Sequence, residues 1–418
     1  MEPTTARAAV EAVWRLESTA IIATLVRVVR DVALAEDLAQ DAVVAALDQW
    51  PRTGIPAKPA AWLMAVAKRR AMDAFRADAR GDRVVARLAM DLEWASADDP
   101  TAAIDHVDDD VLRLMFICCH PVLTEEGRTT LTLRLVAGLT AREIARAYLT
   151  SEATIAQRIS RAKRTLTEAG AAIEEPSEAE RAERMGAVLR VVYLLFNEGY
   201  AATEGQDWMR PALCVEAIRV GRILTTVAPT ESEAQGLLAL MELQSSRLRA
   251  RVDAAGRPVL LDDQDRSRWD SGSISRGSAA LAEARRLAAG ADGPYLLQAR
   301  IAACHAHAES TDATDWALLA ELYEQLARLT GSPVVELNRA VVLGRAVGPE
   351  AGLALVDQLV DHPALRGYHL LPAVRADLLQ KLGRRAEAVE EYLRAAELAT
   401  NLSERDFLRE RAADAAAR

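Results

Sequence analysis

TAREIARAYLTSEATIAQRISRAKR, residues 140–164, is the stretch that decides the fold of the first part of this chain. Its pattern predicts two short helices joined by a tight turn. Thr140 and Glu143 have the spacing of a capping box, which satisfies free backbone amides at the start of the first helix. Ser151 can cap the second helix, because its hydroxyl accepts a hydrogen bond from an amide two or three residues on.

The second of these helices has two faces of different chemistry. Ile155, Ile159, Ala162 and Leu166 repeat at the spacing of one buried stripe. Arg and Gln side chains can make two hydrogen bonds to a guanine or an adenine edge, and a helix-turn-helix presents such side chains to the major groove. The alternative is an amphipathic helix pair whose basic side is merely solvated. The residues of the basic, polar face are Thr154, Gln157, Arg158, Arg161 and Arg164.

The composition of the chain indicates a helical protein of more than one domain. Its 418 residues predict two or three domains, and half of them are hydrophobic. Ala, Leu and Arg dominate and aromatic residues are few, a bias that favours helices over strands. No run of 18 uncharged apolar residues and no secretory pattern at the N-terminus is present, so we expect a cytoplasmic protein with no membrane contact.

The four cysteines have no CxxC spacing. Cys118 and Cys119 are adjacent, and Cys-His pairs occur at 118–120 and 304–305. A zinc site is conceivable there, but buried and reduced thiols are the preferred interpretation. We therefore expect no metal and no cofactor.

Charge is unevenly distributed along the chain. The net charge of −10 argues against a protein that coats nucleic acid by bulk attraction. Residues 61–80 are nevertheless basic, whereas residues 91–110 contain eight acids and no Lys or Arg. Two basic modules joined by an acidic linker that avoids DNA would produce this pattern.

Helical periodicity extends over most of the remaining chain. Residues 5–30 and 35–50 form helical patterns, the second with an apolar stripe of Ala39, Val43, Ala46, Leu47 and Trp50. Three prolines and a glycine predict a loop over residues 51–59.

The C-terminal part of the chain is also predicted to be helical, from about residue 180 onward. Near its end, small residues alternate with an aromatic one at the spacing of a tetratricopeptide (TPR) unit, in which two antiparallel helices pack closely. The residues are Ala376, Gly383, Ala388, Tyr392 and Ala395.

Three segments in order make the first 170 residues resemble a bacterial RNA polymerase sigma factor of the extracytoplasmic-function (ECF, group IV) type. They are AEDLAQD at 35–41, AWLMAVAKRRAMDAF at 61–75, and the stretch from Ile144 to Arg164. RVVYLLFNEGY at 190–200, QDRSRWD at 264–270 and LNRAV at 337–341 are similar to the TPR-like extension of one ECF subgroup. The resemblance implies an all-α fold with four segments. They are a sigma region 2 domain at 1–82, an acidic linker at 83–110, a region 4 helix-turn-helix domain at 111–172, and a helical TPR-like domain at 183–418.

The resemblance also assigns roles to residues of the first module. Asp37, Gln40 and Asp41 would contact the β′ clamp helices of core RNA polymerase. The module would open and read the −10 element, with the loop at 51–59 accepting a flipped base. For Trp62 a place in the core is the preferred interpretation, and for the basic side chains a solvated helix face is the alternative. The residues of this −10 set are Arg52, Lys58, Trp62, Lys68, Arg69, Arg70 and Arg76.

The second module would read the −35 element of promoter DNA near the β flap of the polymerase. Its base and phosphate contacts would come from Thr154, Gln157, Arg158, Arg161 and Arg164, with Lys163 nearer the phosphates. The acidic linker would follow the RNA path of the polymerase, although an ordinary disordered linker would have the same composition.

Two other classes of function remain open for the chain. One is an enzyme built on Asp262, Asp263, Asp265, Asp270, His305 and His307, although no catalytic motif organises these residues. We expect Arg266 and Arg268 to pair with the acids in a polar knot, and no enzyme activity. The other class is a helix-turn-helix repressor with a TPR sensor, which leaves residues 35–75 unused. We expect the C-terminal domain to regulate a sigma factor in cis, through a regulatory protein or peptide on its TPR-like surface.

Overall fold

The computed structural model describes residues 3–78, 102–148, 150–171, 178–202, 208–254 and 256–417. These parts of the chain are helical, and their one β pairing is an isolated bridge between Val252 and Pro258. The chain divides into two compact units: residues 1–192 with 226–228, and residues 193–225 with 229–418. The predicted all-α class is thus confirmed.

Two groups of helices make up the first unit. The first group is α1 Pro3–Val29, α2 Val32–Thr53 and α3 Pro59–Asp78. The second is α4 Ala102–Cys118, α5 Glu125–Leu131 with a π-helical turn Thr132–Val136, α6 Ala141–Ala147 and α7 Glu152–Glu168. The next helix, α8 Glu178–Tyr200, continues past the boundary between the units.

The predicted loop over residues 51–59 is shorter than expected, because α2 continues through Pro51 to Thr53. Pro51 removes one i→i−4 hydrogen bond, and α2 ends two residues later, at Thr53. Trp50 is fully buried, and Arg52 Nη2 donates to Asp48 Oδ1 over 2.7 Å one turn back. Gly54, with φ of +88°, ends the helix, so the loop consists of residues 54–58.

The predicted linker is likewise shorter at its C-terminal end, since α4 begins at Ala102. Its last acid, Asp110, does not lie in a solvated linker: the residue is 4% exposed and its carboxylate pairs with Arg27 of α1. Residues 83–101 of the predicted linker lie outside the described part of the chain.

The helix-turn-helix has the caps that its sequence predicts. Thr140 Oγ1 accepts from the Glu143 amide over 3.2 Å, and Glu143 Oε2 accepts from the Thr140 amide over 2.8 Å. Ser151 Oγ accepts from the Thr154 amide over 3.1 Å. Ile155, Ile159, Ala162 and Leu166 are buried, which confirms the apolar stripe of α7.

A series of helices, each packed on the next, forms the second unit. The chain enters it within α8 and continues through α9 Pro211–Val227 and α10 Ser232–Ser245, followed by an irregular segment with short 3₁₀ turns. The remaining helices are α11 Ser271–Ala288, α12 Pro294–His307, α13 Trp316–Thr330, α14 Pro333–Ala346, α15 Pro349–Leu359, α16 Leu370–Lys381, α17 Arg385–Leu398 and α18 Leu402–Ala417.

The pair α16 and α17 has the packing predicted for a TPR unit. Ala376, Ala388 and Ala395 are fully buried where the helices approach, and Tyr392 is 3% exposed. Gly383 adopts a φ of +75° in the turn between the helices, a conformation that favours glycine. These contacts are compatible with a TPR-like pair, which stays a prediction.

The cysteines and the helix lengths settle two further points. Cys118, Cys119 and Cys214 are free and buried, and burial raises the pKa of Cys119 and of Cys214 to about 12. These thiols stay protonated at neutral pH, as preferred from the sequence. No helix within the described ranges combines the length and apolarity needed to cross a membrane.

Candidate nucleic-acid and polymerase interface

The outer face of α7 carries the predicted DNA-reading side chains. Gln157, Arg161 and Arg164 are exposed, and Thr154 and Arg158 are half-buried at the edges of the same face. Arg158 lies 3.4 Å from Glu126 of α5, and Arg164 lies 3.6 Å from Glu168 one turn on. Exposed pairs of this kind contribute little to stability, so these guanidinium groups can exchange a carboxylate for a DNA acceptor.

Lys163 does not share this face. It follows Arg161 by two residues, which places it about 160° away around the helix. Its side chain is 13% exposed, and its ammonium group pairs with the Glu36 carboxylate of α2. The structure thus separates Lys163 from the other residues of the predicted −35 set.

Glu36 joins the two groups of helices through a buried ionic cluster. Its side chain is 2% exposed, Arg134 Nε donates to Glu36 Oε1 over 2.6 Å, and Gln40 Nε2 donates to the same oxygen over 2.8 Å. Burial alone would raise the pKa of Glu36, but Arg134 and Lys163 outweigh burial and hold that pKa below its ordinary value. The carboxylate therefore remains ionised and paired at neutral pH. Sequence analysis did not identify this residue, because its partners lie about a hundred positions away.

Further polar contacts accompany the Glu36 cluster. Thr19 Oγ1 of α1 donates to the carbonyl of Val136 over 2.7 Å, and Thr167 Oγ1 of α7 donates to Asp31 Oδ2 over 3.1 Å. Together with the pair between Arg27 and Asp110, these contacts hold α1 and α2 against α4, the π-helical turn and α7. The two predicted modules thus form one closed unit here.

The exposed face of α2 lies next to this junction. Asp37, Gln40 and Asp41 are exposed, as predicted for a docking surface. Val44 and Leu47 follow on the same face and are 64% and 41% exposed. Leu47 was assigned to the apolar stripe, and that assignment is wrong. Two exposed apolar side chains beside carboxylates make a surface suited to a partner protein.

The predicted −10 residues lie on α3 and on the loop before it. Trp62 packs edge-on against buried Trp50, with ring centroids 5.6 Å apart, which supports its role in the core. Arg52, Lys58, Arg69 and Arg70 are exposed. Lys68 is half-buried, and burial together with nearby Arg27 lowers its pKa. The side chain of Arg76 lies outside the described part of the structure.

Most of the candidate enzyme residues of the second unit have separate structural roles, and only Asp262 and His305 line the same cavity. Asp265 caps a short turn, because its carboxylate accepts from the Ser267 amide over 2.9 Å. Asp270 caps α11 in the same way, accepting from the Ser273 amide over 2.8 Å. His307 Nε2 lies 2.9 Å from Ser278 Oγ, and Asp263 lies in a 3₁₀ turn. Within the described ranges, no three His, Cys, Asp or Glu side chains group as metal ligands would.

The predicted polar knot is wrong in its pairing. Arg266 Nη1 donates to the carbonyls of His305 and Ala308 over 2.8 and 2.7 Å, and Arg268 Nη1 lies 3.4 Å from the carbonyl of Val252. No ion pair joins either guanidinium to the neighbouring acids in the described part of the chain, although Arg268 lies near enough to contribute to the lowered pKa of Asp265 after its hydrogen bonds from Ser267.

Comparison with known proteins agrees with this geometry. Residues 15–81 match the model of sigma-70 region 2, residues 113–166 match sigma-70 region 4, and residues 184–285 match a family of unknown function, DUF6596. The chain is 45% identical over 389 residues to "Uncharacterized protein R00370" of Rhizobium meliloti (strain 1021), which covers 92% of this chain and 90% of that protein. No solved structure matches the chain.

Replacing Glu36 by Ala should destabilise the first unit strongly. The change leaves the largely buried Arg134 and Lys163, 19% and 13% exposed, without their shared carboxylate, and the loss of a buried partner costs up to about 3–5 kcal/mol. Denaturant titration measures this destabilisation as a decrease in the free energy of unfolding. The pKa of Glu36 is lowered in the folded protein. The contribution of ionised Glu36 to the free energy of unfolding is therefore complete above the ordinary carboxyl pKa, and it is lost as pH falls through the lowered pKa.

The matched control is Asp48→Ala, which removes an acid from an exposed pair with Arg52 on the same helix. We expect it to change the free energy of unfolding by less than about 1 kcal/mol. Equal losses for the two variants would contradict a special role for Glu36.

Proposed function

The chain belongs to the sigma-70 family as a factor of the ECF type, which directs RNA polymerase to promoters, and we propose which of its residues carry out each step. The two family matches cover the helix groups that the structure brings together in the first unit. One observation carries the proposal: the same unit has two exposed faces of different chemistry. The polar face of α7 is suited to DNA, and the acidic and apolar face of α2 is suited to a protein.

The exposed face of α2 is the proposed docking surface for core polymerase. Asp37 and Asp41 supply charge for a basic partner surface, and Gln40 supplies hydrogen bonds. Val44 and Leu47 supply the apolar centre that a protein interface needs, flanked by these polar groups. The proposed partner surface is the β′ clamp helices, with the β flap near the second helix group.

Val44→Asp should weaken binding to core polymerase at least about tenfold, because it places a charge at the centre of an apolar contact. The side chain is largely exposed, so the melting temperature should change little. Fluorescence anisotropy of labelled protein titrated with core enzyme measures the affinity.

The matched control is Val215→Asp, which changes a valine that is 61% exposed in the second unit. It should leave the affinity for core enzyme unchanged. If both variants bind core enzyme as wild type does, the α2 face is not the docking surface.

The outer face of α7 is the proposed reader of the −35 element. Gln157, Arg158 and Arg161 have the chemistry for base edges, and Thr154 and Arg164 extend the face for base or phosphate contacts. Lys163 joins this set only after its pair with Glu36 is broken. The basic side chains of α3 and of residues 52–58 are the proposed −10 contacts.

Arg161→Ala should reduce initiation from a −35-dependent promoter about tenfold or more, since one base contact contributes about 1–3 kcal/mol. Binding to core enzyme should stay at the wild-type level. Run-off transcription and anisotropy measure the two effects separately, and Arg142→Ala, at an exposed arginine of α6, provides the comparison. Loss of core binding in the Arg161 variant would contradict the assignment of α7.

The closed first unit must open for promoter recognition. The −10 and −35 elements, by their names, lie about 25 base pairs apart, which is about 85 Å of duplex at 3.4 Å per pair. A helix whose Lys163 is ion-paired to α2 stays beside the −10 module and cannot reach that far. We therefore propose that docking on polymerase separates α7 from α2, with Glu36 as the contact that is lost.

The second unit is the proposed regulator of these steps in cis, through a protein or peptide partner. Deletion provides the test: full-length protein and a fragment of residues 1–172 are compared in promoter-directed transcription with the same core enzyme. We expect a difference of several-fold in activity, with circular dichroism showing that the fragment is folded. Equal activity of the two proteins, together with an equal response to cell extract, would remove the proposal.

A further inference from the structure

The second unit contains a cavity of about 410 Å³, a volume in the range of small-molecule sites. Its walls come from α12 to α14 and α16 to α18, from Trp208, and from the irregular segment around residues 258–262. Most of the lining is apolar or aromatic, with Trp208, Trp316, Tyr323 and Phe407 as the large side chains. A ligand with an apolar body would therefore find a matching surface.

The charged side chains that line the cavity are cationic and anionic in equal number. Arg345 pairs with Asp262 and also lies over the Trp316 ring, 5.6 Å from its centroid. Lys381 and Arg411 share one carboxylate, that of Asp377, at 2.6 and 3.4 Å. The third acid in the lining, Glu404, pairs with His369.

Three more arginines, Arg247, Arg251 and Arg266, lie behind the residues that line the cavity. Arg266 donates to the carbonyl of His305, which lines the cavity. Arg251 lies 4.8 Å from the centroid of the Trp208 ring and 3.6 Å from that of Tyr200, and Arg247 lies 6.0 Å from that of Trp269. Their hydrogen-bond acceptors are neutral: carbonyls, an amide oxygen and the Tyr200 hydroxyl.

This arginine cluster, Arg247, Arg251 and Arg266, has no carboxylate within ion-pair distance among the residues that the structure describes. Arg251 is only 7% exposed, and burial lowers its pKa. Buried charges are ordinarily paired, because removing an ion from water without a counter-ion is costly. Aromatic faces compensate only part of that cost.

Buried polar atoms at the same place also lack partners. Nη2 of Arg266, Nε1 of Trp269 and Nδ1 of His305 are buried and have no hydrogen-bond partner in the structure. Burial, with Arg247 and Arg266 nearby, lowers the pKa of His305 to about 4, so this ring is neutral and adds no charge. Among the residues that the structure describes, three lining cations and the three arginines behind them thus outnumber the three carboxylates of the lining, in a chain whose net charge is −10.

We infer that this cavity binds a small organic anion that has an apolar body and a carboxylate or phosphate head. The aromatic and aliphatic lining takes the body, and the anionic head supplies the missing negative charge. We assign the head to Arg345, a lining cation whose side chain is 31% exposed and whose carboxylate partner, Asp262, would compete with the ligand. Binding of the anion is measured without polymerase. A protein that binds no anion could therefore still be a sigma factor, and the two proposals are tested separately.

Isothermal titration of the full-length protein tests the inference with octanoate, octyl phosphate and the uncharged analogue octanamide. One equivalent of octanoate or octyl phosphate should bind, at least about tenfold more tightly than octanamide, because a charge-assisted hydrogen bond is lost in the amide. Comparing the two anions distinguishes a carboxylate site from a phosphate site. No binding of either anion, or equally tight binding of octanamide, overturns the inference.

Two variants test whether positive charge in the cavity lining strengthens anion binding. Arg345→Gln should weaken anion binding about tenfold, whereas Asp262→Asn should tighten it, because Arg345 loses its competing carboxylate. The control is Arg328→Gln, at an exposed arginine on α13 that pairs with Glu324. An affinity that is unchanged in both cavity variants, or lowered equally in all three, overturns the inference.

A third variant tests the location of the site. Ala373→Trp places a large side chain in the cavity lining and should abolish binding of octanoate. Thermal unfolding shows whether the Ala373→Trp protein is folded. If it is not, the Arg345→Gln and Asp262→Asn variants still test the binding site. Full octanoate binding in a folded Ala373→Trp protein overturns the location.

Discussion

One buried carboxylate, that of Glu36, determines how the first unit is assembled. It accepts from Arg134 in the turn before the helix-turn-helix and pairs with Lys163 of α7, so one side chain of the first helix group holds two cations of the second. A buried ion pair contributes little net stability against an apolar alternative, but it specifies one arrangement, because breaking it leaves a charge without a partner. The closed unit is thus specific and can be opened by a competing partner.

This constraint arranges the two functional surfaces differently. The Arg161 face of α7 stays outside and exposed in the closed unit, whereas the docking face of α2 borders the Glu36 cluster through Gln40. A partner that binds Asp37 and Asp41 would therefore act within one and a half helical turns of Glu36, the contact that holds α7 in place. We propose that this proximity couples polymerase docking to release of the DNA-reading helix.

Local sequence patterns predicted the elements well, and their mutual contacts poorly. The caps at Thr140 and Ser151 and the stripe of α7 depend on residues within a few positions, so the sequence alone determines them. The pairs of Glu36 with Lys163 and of Arg27 with Asp110 depend on the tertiary fold, and no spacing reveals them. Pro51 was placed in a loop because proline is costly within a helix, yet buried Trp50 holds the last turn of α2.

Run-off transcription with purified core RNA polymerase tests the central claim most directly, namely that the chain reads promoters only when mounted on that enzyme. The protein should bind promoter DNA weakly by itself and produce a specific transcript when core enzyme is added. Tight and sequence-specific binding to DNA without polymerase, and no association with core enzyme at low salt, would contradict this account.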